Sequence, residues 1–112
     1  MSYLFVALSY LIGSINFAYL VAKYKKLDIS SSGSGNPGTS NVMRTIGKKY
    51  AAIVLIGDVF KGFIPIFLFD ENLLLCGFAA VIGHIYPIFY KFKGGKGVAT
   101  YIGVYIAFST LN

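Results

Sequence analysis

Apolar residues in this chain gather into long runs with almost no charge, a pattern that suits helices surrounded by lipid better than faces of a small water-soluble core. Residues 3–22 contain no charged side chain, and twenty residues at about 1.5 Å each cover the roughly 30 Å of a bilayer core. Only Met1 and Ser2 precede this run, without the basic residues of a secretory signal, so the segment is expected to stay in the mature protein. A second run, 50–69, is interrupted by Asp58 and Lys61, and a third, 73–90, holds His84 and Pro87. A fourth reaches from Gly97 to Asn112, slightly short of the roughly 17 to 25 residues of a spanning helix. The pattern predicts an all-α, polytopic integral membrane helix bundle with about four transmembrane helices. One domain is expected over 1–112, stopping inside or barely after its last helix.

Composition agrees: 56% of the 112 residues are hydrophobic and 12% charged, against about 25% charged in ordinary soluble domains. A disordered tail is excluded by the same numbers. The lone cysteine, Cys76, lies in an apolar run; it can form no intrachain disulfide or cysteine metal site and reads as a packed hydrophobe.

The net charge of +6 fits nucleic acid, anionic lipid or an anionic substrate equally well, but its placement chooses. Lys23, Lys25, Lys26, Arg44, Lys48 and Lys49 lie between the first two runs, and Lys91, Lys93 and Lys96 follow the third. Asp70 and Glu71 occupy the intervening loop. The positive-inside rule then puts the N-terminus outside and both basic loops in the cytoplasm. Nucleic acid is not an expected partner; the bilayer is.

Two Gly/Lys-rich or Gly/Arg-rich loops carry the candidate chemistry. In SSSGSGNPGTSNVMR, residues 30–44, glycines let backbone amides approach an anion, and Ser34, Asn36, Thr39, Ser40 and Asn41 offer side-chain donors. Gly33, Gly35 and Gly38 formally spell GxGxxG, but no strand precedes them, so the dinucleotide reading is discarded. Ser40 or Asn41 is expected to cap the second membrane helix. Arg44 would then sit in its first turn, against the helix dipole, as if kept for a phosphate. In FKGGKGVAT, residues 92–100, Lys93 and Lys96 flank Gly94 and Gly95, a cradle-like pattern that is not a Walker A loop.

Asp58 and Lys61, three apart, share a helix face. They either pair with each other, as intramembrane charges usually do, or Asp58 holds Lys61 toward a substrate cavity. His84, in GHIYP, is either hydrogen-bonded structure or part of the site. One histidine, one cysteine and four acids show no spacing for a metal centre or a catalytic triad. The aromatic residues read as core and interfacial belt.

Taken together, GSGNPGTSNVMR at 33–44, DVFKG at 58–62 and GHIYPIFYKFKGGKGVAT at 83–100 resemble the bacterial PlsY family, membrane-embedded acyl-phosphate:glycerol-3-phosphate acyltransferases. The resemblance implies transfer of a fatty acyl group from acyl phosphate to the 1-hydroxyl of glycerol 3-phosphate, giving lysophosphatidic acid for phospholipid biosynthesis. It implies a bacterial cell (inner) membrane location, no cofactor and no metal, and a soluble partner enzyme that makes the acyl phosphate. Carried over residue by residue, it points to Ser34, Arg44, His84 and Lys96 for catalysis. For substrate binding it points to Ser34, Gly35, Asn36, Asn41, Arg44, Lys61, Lys93, Gly94, Gly95 and Lys96. His84 would accept the hydroxyl proton or hold a substrate oxygen, with a substrate phosphate as the alternative base.

The chain departs from the family pattern at Thr39-Ser40, where Ala-Thr is usual, and at Asn16, which replaces a proline and should alter local helix geometry. The resemblance also implies further helices and a cytoplasmic motif with His, Asn and Glu that this sequence lacks. An incomplete or non-catalytic homologue is therefore the alternative. A small four-helix transporter is a further one, disfavoured because the first run contains no acid.

Overall fold

The computed structural model describes residues 3–111, and among these it contains helices and no strand. The helices are α1 (Leu4–Ser14), α2 (Phe17–Tyr24), α3 (Thr39–Thr45), α4 (Lys48–Leu68), α5 (Leu73–Ile85) and α6 (Val98–Ser109). Three stretches are long and apolar enough to cross a membrane: Leu4–Tyr24, Lys48–Leu68 and Leu73–Tyr90. The fourth apolar run forms α6, of 12 residues, which at 1.5 Å each is about 18 Å long. The expected four spans thus become three and a shorter apolar helix.

The first run is also broken. Asn16 caps α2: its Oδ1 accepts the Tyr19 amide at 3.0 Å, while its Nδ2 donates to the Pro37 carbonyl at 3.3 Å. Asn16 therefore ends one helix, starts the next, and ties the break to the first basic loop. The Ile15 carbonyl lies outside both helices and accepts a hydrogen bond from Lys61 Nζ at 2.9 Å.

The expected cap at Ser40 or Asn41 is corrected as well. Those residues belong to α3, which is capped by Gly38 and ends before Gly47, and the membrane helix α4 starts only at Lys48. Gly47 has φ 136°, backbone that favours glycine and separates the two helices. Arg44 lies in the last turn of α3, where a cation complements the helix dipole. Dipole conflict is no argument for its binding a phosphate.

Packing follows from small residues. α1 lies against α5 and α4 against α6. At the first crossing a side chain on Gly13 would strike the Ala80 carbonyl; at the second, one on Gly103 would strike the Val59 carbonyl. Close backbone approach of this kind is how helices associate where no hydrophobic drive separates them from lipid.

The bundle exposes large apolar side chains and buries several polar ones among its apolar core. Leu55, Ile56, Phe60, Phe67, Leu68 and Phe78 are exposed, while Ser9, Ser14, Asn16, Asp58, Lys61, His84 and Thr100 are buried. One apolar cluster, Ala18, Val21, Ala22, Ile29, Val42, Ala51 and Val54, packs α2, α3 and the first half of α4. A second, Ile66, Cys76 and Ala107, closes the other end. Asp58 and Lys61 lie between the two along α4. Cys76 is fully buried there.

Candidate functional site

The two basic loops meet at one end of the bundle. A mostly polar cavity of about 460 Å³ is lined by Tyr19, Ser30, Ser34, Gly35, Asn36, Pro37, Lys93 and Gly94. A smaller one, about 250 Å³, is an apolar groove between α5 and α6 lined by residues such as Leu74, Phe78, Val81, Tyr101 and Phe108. Only the first has the donors an anion needs.

Each loop is pinned from below. Asn41, buried in α3, accepts the Ser34 amide on Oδ1 at 3.0 Å and donates from Nδ2 to the Ser32 carbonyl at 2.9 Å. The Tyr19 hydroxyl donates to the Lys93 carbonyl at 2.7 Å, and its ring stacks on Tyr90 with centroids 4.3 Å apart. Gly94 and Gly95 donate their amides back to the Ile85 and His84 carbonyls at 3.0 and 3.2 Å. Pro87 follows α5 and lets the chain turn into this loop.

These bonds narrow one expectation. The amides of Ser34, Gly35, Asn36, Gly38, Gly94 and Gly95 all have protein acceptors, so these six are not free for an anion. Side chains add further donors. Ser34 Oγ accepts the Asn36 amide at 3.3 Å and keeps its proton to donate. Ser30 differs: its hydroxyl and amide both donate to Asp28. Those two bonds, the hydroxyl's first, hold the Asp28 carboxyl below its ordinary pKa.

Of the residues singled out from the sequence, Ser34, Gly35, Asn36, Lys93 and Gly94 line one cavity. Gly95 is buried behind it, and Asn41 acts as a strut. Arg44 and Lys96 are exposed and lie outside the lining. Sequence reasoning missed Tyr19, Ser30 and Pro37. Tyr19 sits in an apolar run where an aromatic reads as core, and its bond to Lys93 spans 74 positions; no local signal marks it.

Lys61 is 3% exposed, and its ammonium is surrounded. It pairs with Asp58 Oδ1 at 3.1 Å, meets His84 Nδ1 at 2.7 Å, and donates to the Ile15 carbonyl at 2.9 Å. Of its two sequence readings, pairing is the one observed, with His84 as an added member. Thr100 Oγ1 secures the same layer by donating to the Asp58 carbonyl at 3.0 Å.

Comparison with known proteins bears on the family and the fold. A family model described as glycerol-3-phosphate acyltransferase matches residues 3–112. The chain belongs to this family. Among glycerol-3-phosphate acyltransferases, that of Aquifex aeolicus is 47% identical over 111 residues, 93% of this chain and 58% of its own. That of Methylobacillus flagellatus is 50% identical over 115 residues, 96% and 58% of the two chains. Two crystal structures of PlsY, an integral membrane glycerol 3-phosphate acyltransferase, share the fold at 46% identity, in a glycerol 3-phosphate form (TM-score 0.86) and a lysophosphatidic acid form (TM-score 0.83). The alignment covers 95% of this chain and 56% of theirs. The chain thus spans little more than half the length of the acyltransferases it matches.

Proposed function

We propose that this chain transfers a fatty acyl group from acyl phosphate to the 1-hydroxyl of glycerol 3-phosphate. The observation that carries the reading is the polar cavity shared by loops 30–37 and 93–94 at the ends of lipid-facing helices. Phosphorylated substrates suit it, and an acyl chain can reach it from the surrounding bilayer. Family membership and likeness to the glycerol 3-phosphate form of PlsY support the same substrate.

Lys93, Ser34 and Asn36 would hold a phosphate at the cavity wall. Exposed Arg44 and Lys96 would add positive charge from the rim, as the resemblance implies. The glycerol hydroxyl attacks the acyl carbonyl carbon, the bond from that carbon to the phosphate oxygen breaks, and inorganic phosphate leaves. Acyl phosphate is already activated, so no covalent enzyme intermediate is needed. Stabilising the carbonyl oxyanion and departing phosphate is the main task. Gly35, Gly94 and Gly95 contribute by lacking side chains where the loops converge.

In this reading the protein lies in a bacterial cell membrane with the N-terminus outside and both loops cytoplasmic, the side on which lysines and arginines collect. A soluble enzyme would supply the acyl phosphate. Calorimetric titration of the detergent-purified chain tests substrate choice. Saturable binding of glycerol 3-phosphate and none of glycerol is expected; equal responses to both contradict a phosphate site.

A further inference from the structure

The buried contact between Lys61 and His84 constrains what His84 can do. A lysine ammonium has three donors and no acceptor. Here three groups surround it: the Ile15 carbonyl, the Asp58 carboxylate and His84 Nδ1. The carbonyl can only accept, and Asp58 Oδ1 lies at ion-pair distance, 3.1 Å, without a hydrogen bond of its own. Because the ammonium can only donate, the 2.7 Å contact to Nδ1 is an N–H of Lys61 given to a ring nitrogen that carries no proton. A neutral imidazole with bare Nδ1 carries its proton on Nε2.

The Nε2 edge lies against Gly95, just behind the cavity lining. A side chain on Gly95 would stand 2.5 Å from His84 Nε2 and 3.2 Å from the Pro37 carbonyl, which is part of the cavity wall. His84 is 3% exposed, and its Nε2 has no acceptor among the described residues. An Nε2–H with no acceptor in the described residues, beside Gly95 in the second loop, is free to donate to an oxygen from outside the chain.

We infer that Lys61 is a positioning residue that fixes His84 as an Nε2–H donor, so that His84 hydrogen-bonds a substrate oxygen and does not take the hydroxyl proton. The inference rests on the acyl-transfer reading for the identity of that oxygen, but not for the tautomer. With both ring nitrogens committed, the proton released by the attacking hydroxyl goes to a phosphate oxygen of the substrate or to solvent. Lys61 itself touches no substrate.

Two measurements test this. His84 is the single histidine of the chain, so nitrogen-15 NMR of the detergent-solubilised wild-type protein near neutral pH reports it alone. A bare Nδ1 and a protonated Nε2 are expected; a protonated Nδ1, or exchange between the two tautomers, overturns the inference. In acyl-transfer assays, His84→Gln, which keeps an N–H near Nε2 but cannot act as a base, should stay within about tenfold of wild type. His84→Ala should fall on the order of a hundredfold or more, the usual lower range for losing a group that acts at the reacting atoms. Equal loss in both variants contradicts the donor role. Absence of turnover in the wild type counts against the acyl-transfer reading alone, because the spectrum still decides the tautomer.

Discussion

Asn41 holds Ser34 in place: its Oδ1 accepts the Ser34 amide at 3.0 Å while its Nδ2 reaches the Ser32 carbonyl at 2.9 Å. A buried side chain in a short helix thereby sets the shape of a loop seven residues away. Replacing Asn41 with Ala leaves two loop groups without partners, each worth about 1–3 kcal/mol if kept from water. The loop is expected to loosen, and glycerol 3-phosphate affinity to fall about tenfold, or about 1.4 kcal/mol. Unchanged affinity by calorimetry would remove Asn41 from the site.

Of the cations Lys93, Arg44 and Lys96, Lys93 alone lines the cavity. Lys93→Ala should weaken glycerol 3-phosphate binding at least tenfold, about 1.4 kcal/mol. Arg44→Ala and Lys96→Ala should reduce kcat/KM at least tenfold as well, and the loss relative to wild type should shrink with added salt because both side chains are exposed. Kinetics at two ionic strengths check this. Near-wild-type values in either rim variant would dismiss its phosphate role.

The Asp58–Lys61 pair is a stability element as well as part of the polar layer. Both groups are buried, at 2% and 3% exposure. Removing one member of such a pair strands the other charge, typically at about 3–5 kcal/mol. Lys61→Met should therefore lower the unfolding midpoint in detergent markedly more than the double variant Asp58→Asn/Lys61→Met. Equal losses would show that the pair contributes no coupling.

Topology gives a further test. Cysteines introduced at Ser34 or Lys93, in a chain whose own Cys76 is fully buried, should react with a membrane-impermeant reagent only when it has access to the cytoplasmic face. Labelling from the outer face of intact cells would reverse the orientation.

Much of this was legible in the residues, for identifiable reasons. Uncharged runs longer than a bilayer is thick mark spanning helices without any tertiary information, and lysines and glycines clustered between them mark the loops. The break at Asn16 was only half visible: an asparagine in place of the family's usual proline pointed to altered local geometry, but its bond to the Pro37 carbonyl depends on a loop 21 positions later. The separate helix α3 was missed because serine, asparagine and glycine near a helix start look alike whichever helix they cap. The Lys61–His84 contact joins two helices at a distance of 23 residues. Periodicity along either helix says which face each residue is on, but not which nitrogen meets which.

The most direct test is acyl transfer by the purified wild-type chain in detergent, from palmitoyl phosphate to radiolabelled glycerol 3-phosphate, with palmitoyl-CoA as a parallel donor. Radiolabelled lysophosphatidic acid formed from the acyl phosphate and not from the thioester is the predicted result. A folded sample that binds glycerol 3-phosphate yet forms no product from either donor would contradict catalysis by this chain.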